Sequence, residues 1–227
     1  MIKNTGKAAL FISLLSLGLI GCSDSYMDDL DDGFDDALTH EAEFSFVNAM
    51  DYSLDFHLQK RSLTTGSSGL FDSKNRVAGN IQVNGYSSEY DYDYPAVMNQ
   101  VNIGMRGAMS NSNEVKMHTN LSDDDEYWVI AWQNGVEKHL TLLEKKERDN
   151  ANTFNVRIFA NGVYPVNIKG SQVMTTQRGK VSDFLTLDNC VLDLTINGHA
   201  IDLCTGDFGE SYLLVVNSDG KQVLVEE

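Results

Sequence analysis

The amino-acid sequence predicts an all-β protein, and three observations carry that prediction. Apolar and polar residues alternate at a period of two in short runs, which is typical of strands in half-buried sheets. Several runs are separated by Asn-Gly or Asp-Gly, pairs that tolerate the positive φ angles of tight hairpin turns. After residue 21 no window sustains a helical apolar stripe. Short strands with this turn chemistry favour sandwiches over an open sheet.

The predicted elements follow one another along the chain from residue 44. Each strand is assigned where the alternation is clear, and each turn where Asn or Asp precedes Gly. The strands are residues 44–47, 54–58, 81–83, 90–94, 101–103, 127–130 and 192–196, and the turns are Asn84-Gly85, Asn134-Gly135, Asn197-Gly198 and Asp219-Gly220.

Composition bounds the size and the partners of the protein. The chain has 227 residues, of which 42% are hydrophobic, and this allows a packed core and one or two domains. Its formal net charge is -16. A nucleic-acid reader needs a Lys/Arg surface to displace counterions from phosphates, so we expect no nucleic-acid partner.

Residues 1–21 have the organisation of a signal peptide. Lys3 and Lys7 precede a 13-residue apolar run, 8–20, which is too short to span a bilayer core of about 30 Å. The run ends in Leu19-Ile20-Gly21-Cys22, which resembles the lipobox of bacterial lipoproteins. The resemblance implies cleavage before Cys22, a diacylglycerol on its sulfur and acylation of the new amine. The alternative is an ordinary secreted protein that is cleaved at the same place.

A lipidated Cys22 determines where the protein resides. More than one acyl chain, at ~0.8 kcal/mol per buried CH2, makes membrane attachment effectively permanent. Ser23 follows the cysteine, whereas an Asp at that position tends to retain lipoproteins of double-membraned bacteria in the inner membrane. We therefore expect an outer-membrane location through Cys22, with the periplasmic and the surface face both open.

Residues 22–43 are expected to form a disordered acidic tether. Nine carboxylates and no Lys or Arg lie between Asp24 and Glu43, and such a run repels itself and stays extended. The run fits three positions of a calcium-binding EF-hand loop, but Leu30 and Thr39 occupy two of the ligand positions. A solvated spacer is the better interpretation.

A weak internal repeat divides the rest of the chain into two tandem β-sandwich domains. Residues 44–46 align with 154–156 at an offset of 110, and residues 127–131 align with 212–216 at an offset of 85. Chance similarity is the alternative, because any two amphipathic sheets share the same alternation. The predicted domains are residues 44–147 and residues 152–227.

The ends of the first unit resemble a known family. The opening reads Phe46-Val47-Asn48-Ala49 and then Leu54-Asp55-Phe56, and the closing reads Tyr127-x-Val129-Ile130-Ala131-x-x-x-Gly135. These residues are similar to the domain of unknown function numbered 4397, which occurs in exported bacterial proteins, often in tandem. Met50-Asp51 replaces the family's usual Ser-Pro. The resemblance implies a sandwich of cell-surface type and supplies no catalytic residues. The fold class that we predict is two tandem antiparallel, immunoglobulin-like β-sandwiches.

The sequence carries no motif of a catalytic or metal site. The five histidines are at least 17 residues apart, so none forms a pair at metal-ligand spacing. Residues 66–69, Gly-Ser-Ser-Gly, have the wrong spacing for a nucleophile elbow, and residues 123–126 are interpreted as a solvated turn rather than a calcium loop. We expect no enzyme activity, no metal and no cofactor. Abundant acidic residues leave a carboxylate-based hydrolase as an alternative.

Cys190 and Cys204 remain after lipidation, and an exported pair of thiols tends to form a disulfide. They flank the Asn197-Gly198 turn, where two registers compete. A two-residue turn preserves apolar pairs but places the cysteines on opposite faces, whereas a three-residue loop places them opposite each other. We favour the disulfide, with two buried free thiols as the alternative.

The run Tyr90-Asp91-Tyr92-Asp93-Tyr94 is the most suggestive binding patch. In a strand, Tyr90, Tyr92 and Tyr94 share one face and the two aspartates the other. Aligned phenol rings offer rigid contact area for a sugar or a protein partner. The interpretation that we favour places the rings in the core of the first domain, with the aspartates in water.

These observations favour a non-enzymatic outer-membrane lipoprotein that presents its sandwiches for protein binding or envelope organisation. The expected partners are the membrane, through Cys22, and a protein of the cell envelope. The alternatives are a carbohydrate-binding module that uses Tyr90, Tyr92 and Tyr94, and a carboxylate-based hydrolase.

Overall fold

The structure is a computed structural model that describes residues 39–110, 112–148, 150–191 and 193–227. The predicted signal peptide, Cys22 and residues 22–38 of the predicted tether lie outside this part of the chain. Leu38–Glu227 form one compact unit. The all-β prediction is confirmed, because the described residues form seventeen strands and one short 3-10 turn, Ser73–Asn75. Among them, no helix is long and apolar enough to cross a membrane.

Eight strands form the first half of the unit and nine form the second. The first half contains β1 (Thr39–Ala49), β2 (Leu54–Lys60), β3 (Arg76–Ile81), β4 (Tyr90–Pro95), β5 (Gln100–Gly107), β6 (Val115–Asn120), β7 (Asp125–Asn134) and β8 (Glu137–Glu144). The second half contains β9 (Phe154–Ala160), β10 (Pro165–Ile168), β11 (Ser171–Thr175), β12 (Lys180–Val181), β13 (Leu185–Leu187), β14 (Leu194–Ile196), β15 (His199–Ala200), β16 (Ser211–Asn217) and β17 (Gly220–Glu226).

Each half is built from an inner and an outer sheet with the same strand order. The first half has the inner sheet β4-β1-β7-β8 and the outer sheet β3-β2-β5-β6. The second half has the inner sheet β12-β9-β16-β17, in which β13 also pairs with β9, and the outer sheet β11-β10-β14-β15. β9 thus takes the place of β1, and β16 takes the place of β7.

One strand pair in each half is parallel. β1 runs parallel to β7, with Phe44 opposite Tyr127, and β9 runs parallel to β16, with Val156 opposite Tyr212. Every other pair among the seventeen strands is antiparallel. The expectation of purely antiparallel sheets is corrected here. Side chains alternate in the same way in both kinds of sheet, so alternation does not reveal strand direction.

Three hydrophobic cores separate the four sheets. The first lies between the sheets of the first half and includes Phe46 and Phe56, and the second lies between those of the second half and includes Phe154. The third lies between the two inner sheets and includes Trp128 and Phe159. Strands β1, β7, β9 and β16 are therefore buried on both faces, which explains their uninterrupted apolar runs.

Strand β1 begins at Thr39, which corrects the predicted tether boundary at residue 43. Residues 39–43 are the first residues of the strand. Ala42 is buried in the first core, and Glu43 lies opposite Asp91 of β4 and Glu126 of β7. Acidic composition predicted an extended, solvated chain, but the segment pairs with β4 along its whole length and with β7 from Ala42 onward, and this pairing engages its backbone hydrogen-bonding groups.

The inner strands β1, β7, β9 and β16 end close to one another. One groove is lined by residues at or beside the last residue of each of these strands, namely Ala49, Gln133, Asn161 and Asn217. We call this the distal end of the unit, and we call the end at which β1 begins the proximal end. Thr39, the first described residue, stands at the proximal end, so the distal end lies at the other end of β1.

Candidate functional site

A groove at the distal end is formed by both halves of the unit, and we call it the distal groove. Its volume is about 160 Å³. Neither half supplies the lining alone, because Gln133 belongs to the first half and Asn161 to the second. The lining residues are Ala49, Met50, Asp51, Val83, Asn84, Gln133, Asn161, Asn217 and Gln222.

Tight turns and strand ends hold the lining in place. Asn84 has a φ of 58°, and the N–H of the following Gly85 donates to the Gln82 carbonyl at 2.9 Å. The predicted Asn84-Gly85 turn is therefore present. Gln133 stands one residue before the end of β7, and Asn217 is the last residue of β16. The backbone of the groove is consequently fixed by pairing on the strands that lead into it.

Asn161 links the two halves across the distal groove. Its Nδ2 donates to the Gln133 carbonyl at 3.0 Å, and its Oδ1 accepts from the Tyr164 hydroxyl at 2.8 Å. Both ends of the Asn161 amide are thus engaged, and the amide cannot rotate without losing a hydrogen bond. Asn161 therefore fixes the distance between the two walls.

Several other amides of the distal groove have hydrogen-bonding groups that the described residues leave unused. Within the described residues, the side-chain amides of Asn84 and Gln133 make no hydrogen bond, and Asn217 uses only its Oδ1, which accepts from the Asp219 N–H at 2.9 Å. The Gln222 Oε1 is shielded from solvent and also has no partner. A shielded acceptor without a partner is costly, so this groove carries unused hydrogen-bonding capacity.

Exposed apolar side chains stand on turns at the same end of the unit as the distal groove. Met109 and Val136 are 94% and 93% exposed, and Val163 and Val83 are also largely exposed. Val136 and Val163 follow β7 and β9, and the Ala108 N–H next to Met109 donates to the Ser53 carbonyl in the β1–β2 turn. Apolar side chains that cluster on exposed turns mark interaction surfaces.

The proximal end is acidic and differs in chemistry from the distal groove. A cleft of about 260 Å³ there is lined by Asp124, Asp125, Glu126, Glu144, Lys145, Lys146, Glu147 and Glu227. In the predicted acidic turn, Asp123 accepts from the Glu41 N–H at 3.2 Å and lies 3.5 Å from His40. These contacts tie the turn to the beginning of β1.

Three carboxylates beside this cleft, those of Glu43, Glu89 and Glu126, have oxygens within 4.8 Å of one another. The buried Lys145 Nζ lies 2.6 Å from Glu89 Oε1 and 3.4 Å from Glu126 Oε2. Burial, followed by the charges of Glu126 and Glu89, raises the pKa of Glu43, and Lys145 opposes that rise. The lysine supplies the countercharge that a cation would bring, so the cluster is an ion-pair network.

Cys190 and Cys204 are joined by a disulfide, with Cα atoms 4.9 Å apart. The Asn197-Gly198 turn is a two-residue turn, because Ile196 pairs with His199. The two-residue turn and the disulfide, which the sequence presented as competing, therefore occur together. The β14–β15 ladder ends at Ala200, and beyond it the Leu203 N–H donates to the Cys190 carbonyl at 2.9 Å, beside the disulfide.

The predicted tyrosine patch does not form one exposed face. Tyr94 is 2% exposed in the first core, Tyr92 packs partly buried against that core, and Tyr90 is exposed. The Tyr92 and Tyr94 rings stack with centroids 6.3 Å apart, and burial raises the pKa of each phenol to about 12. The alternative of a binding platform made of all three rings is therefore wrong. Tyr94 is a core residue, because this face of β4 packs against the outer sheet.

The structure also buries charged and polar residues that sequence reasoning missed. His57 is fully buried, its ring packs edge-on against Phe71 at 5.3 Å, and neither ring nitrogen has a hydrogen-bond partner among the described residues. Burial, together with the charge of Arg106, lowers the pKa of His57. Asp55 beside it accepts from the Asn80 N–H at 2.8 Å and pairs with Arg76 at 3.5 Å.

The distal groove was not predicted because its residues form no motif. Its amides come from five segments of the chain, and each is an ordinary strand-end or turn residue in the sequence. One signal was present, since Asn or Gln stands at or beside the end of each of the inner strands β7, β9 and β16. That pattern acquires meaning only after the topology brings these ends together.

Comparison with known proteins adds no relative. No protein-family model matches the chain, and a search of the curated proteins finds no significant match. The resemblance to the domain of unknown function 4397 stays a prediction.

Proposed function

We propose that the protein is a non-enzymatic outer-membrane lipoprotein that binds a partner of the cell envelope with its distal end. Acyl chains on Cys22 hold it in the membrane, and residues 23–38 connect them to β1. One observation carries the proposal: the distal groove and the exposed apolar turns lie at the end opposite the one at which β1 begins.

The packing of the two halves supports a presenting role. A core shared by the inner sheets, with Trp128 on one side and Phe159 on the other, joins the halves into one compact unit. A surface built from both halves then keeps its shape, and a preorganised surface loses little entropy on binding. The four exposed apolar side chains at the distal end supply contact area for a protein partner.

The first experiment tests the anchor. Cells that produce the full-length protein are grown with an alkyne analogue of palmitate, and the purified protein is then assayed for the label. We expect label on the natural protein and none on Cys22→Ser. A natural protein that carries no label and leaves the membrane fraction contradicts the lipid anchor.

The second experiment tests the binding surface. A photo-reactive amino acid replaces Val136 at the distal end or Leu63, which is 88% exposed and lies on the opposite side as a matched control. We expect irradiation of living cells to yield a discrete adduct of one size from position 136, reduced when Val163 is changed to Asp. Equal adducts from positions 136 and 63 contradict a distal binding surface.

A further inference from the structure

The distal groove holds amide groups that the fold itself does not use. In the described part of the protein, four of these side chains have groups without a hydrogen-bond partner. They are the whole amides of Asn84 and Gln133, the amide nitrogen of Asn217 and the Oε1 of Gln222. They line one groove of about 160 Å³. Polar groups that converge on a concave surface and bond to nothing are typical of a ligand site.

We propose that the distal groove binds a neutral saccharide, whose hydroxyl groups are recognised by these side-chain amides. The inference rests on the proposed binding role of the distal end and names the chemistry of its ligand. A side-chain amide offers donors and an acceptor together, and a sugar hydroxyl also donates and accepts. The amides of Asn84 and Gln133, whose two ends are both free within the described residues, can therefore serve a hydroxyl in either direction.

The charge of the lining favours a neutral ligand. None of the nine lining residues is Lys or Arg, and Asp51 is the one carboxylate among them. An anion finds no countercharge in this groove, and a divalent cation needs several oxygen ligands of negative charge. Val83, which is 45% exposed at the edge of the groove, offers an apolar contact to the C–H face of a sugar ring.

The construction of the distal groove favours a saccharide over an extended peptide. A peptide that adds to a sheet needs the free edge of a strand. This groove is formed by strand ends and turns, and the turn backbone is already paired, since the Asn48 N–H donates to the Gly85 carbonyl at 2.8 Å. Recognition is left to side chains, which suits a ligand that presents hydroxyl groups.

Both walls of the distal groove are held in register before any ligand binds. Asn161 bonds to the Gln133 carbonyl in the opposite half, and the shared core lies directly beneath. Asn161 is therefore a positioning residue, whereas the Gln133 amide and the amide nitrogen of Gln222 would contact the sugar. A preorganised site of this kind pays little for ordering its side chains.

Isothermal titration calorimetry tests the proposal on the full-length processed protein in a detergent without a sugar headgroup. The probes are neutral trisaccharides of glucose, mannose, galactose and N-acetylglucosamine, with trialanine as the peptide probe. We expect saturable binding of at least one trisaccharide. Gln133→Leu and Gln222→Leu should each weaken it about tenfold, because each removes hydrogen bonds and leaves sugar hydroxyls unpaired.

A matched control and a folding control accompany these variants. Gln172→Leu changes the same residue type on β11, away from the distal groove, and should leave the affinity unchanged. Thermal melting should be the same for all three variants. If binding falls equally in Gln172→Leu, or if trialanine binds and is lost with the same variants, the saccharide proposal is wrong.

The outcome also separates this inference from the proposed function. If none of the four trisaccharides binds while the adduct at position 136 persists, the distal end binds a partner but the saccharide inference is overturned. If a trisaccharide binds while the adduct at position 136 is missing, the saccharide inference stands and the protein-partner role fails.

Discussion

Arg157 and Glu227 form a doubly hydrogen-bonded ion pair inside the protein, with Nε–Oε1 and Nη2–Oε2 distances of 2.6 Å. Their side chains are 5% and 0% exposed. The pair belongs to the second half but reaches the first, because the Trp128 indole donates to Glu227 and Arg157 donates to the Glu144 carbonyl. The two halves are thus joined by a polar contact as well as by the shared core.

Removing the arginine of this pair should destabilise the whole unit. Arg157→Met leaves the Glu227 carboxylate buried without its countercharge, and we expect a loss of about 3 to 5 kcal/mol in the free energy of unfolding. Urea denaturation at neutral pH measures the loss. Adding Glu227→Leu should restore much of it, since an apolar pair needs no countercharge.

The control for this prediction is an exposed ion pair. Lys169 lies 2.8 Å from Asp188, and both side chains are more than half exposed. Lys169→Met should change the urea midpoint little, because water and salt screen such pairs. An Arg157→Met variant that unfolds at the same urea concentration as Lys169→Met would show that the buried pair contributes nothing.

The Cys190–Cys204 disulfide should stabilise the second half. The two cysteines are 14 residues apart, and a loop of this length gives about 3 kcal/mol in the chain-entropy account. Cys190→Ala combined with Cys204→Ala should lower the free energy of unfolding by about that amount. Adding a reductant should lower the melting temperature of the natural protein and leave that of the double variant unchanged; an equal effect on both would contradict the prediction.

His57 should make stability depend on pH in the acid range. Burial lowers its pKa in the folded protein below the ordinary value of 6.5, so the unfolded chain binds a proton first. The contribution of neutral His57 is complete above about pH 6.5 and is lost as the pH falls through the lowered pKa. The difference in unfolding free energy between the natural protein and His57→Leu should therefore change below pH 6.5.

An exposed histidine supplies the comparison for His57. His118 lies on β6 and is exposed. The unfolding free energy of His118→Leu should stay close to that of the natural protein over the same pH range, because substitutions at exposed surface positions usually change it little. If His57→Leu shows the same pH profile as His118→Leu, the buried imidazole is not the source of the acid sensitivity.

Tyr94 should tolerate the loss of its hydroxyl but not of its ring. Its hydroxyl is buried and has no hydrogen-bond partner among the described residues. Tyr94→Phe should leave the free energy of unfolding unchanged or raise it by up to about 1 kcal/mol, whereas Tyr94→Ala should lower it by about 3 to 5 kcal/mol. Chemical denaturation measures both variants, and a Phe variant as damaging as the Ala variant would show that the hydroxyl is bound.

The sequence predicted the elements of the fold better than their arrangement. Alternation at residues 54–58 and the Asn84-Gly85 turn mark local structure, and both are present. The parallel pairing of β1 with β7 joins Phe44 to Tyr127 across 83 positions, and no local pattern encodes such a partner. Residues 39–43 look like a solvated tether because their strand partners lie 48 to 83 positions away.

Functional features, too, could be predicted where they depend on residues near in sequence, but not where they depend on distant residues. Cys190 and Cys204 could be paired from the sequence because 14 residues separate them and a turn lies between. The distal groove could not be predicted, since Gln133 and Asn161 meet only when the two halves pack together. His57 was equally hidden, because nothing in its strand distinguishes a histidine under a covering loop from one in water.

The placement of β1 between β4 and β7 has a mechanical consequence. Any tension that reaches the unit through the residues before Thr39 pulls β1 along its own axis. Its backbone bonds to β4 and β7 lie across that axis, so they are loaded together in shear and cannot be unzipped one at a time. A strand loaded in this way resists being pulled out of its sheet by a force applied at its first residue.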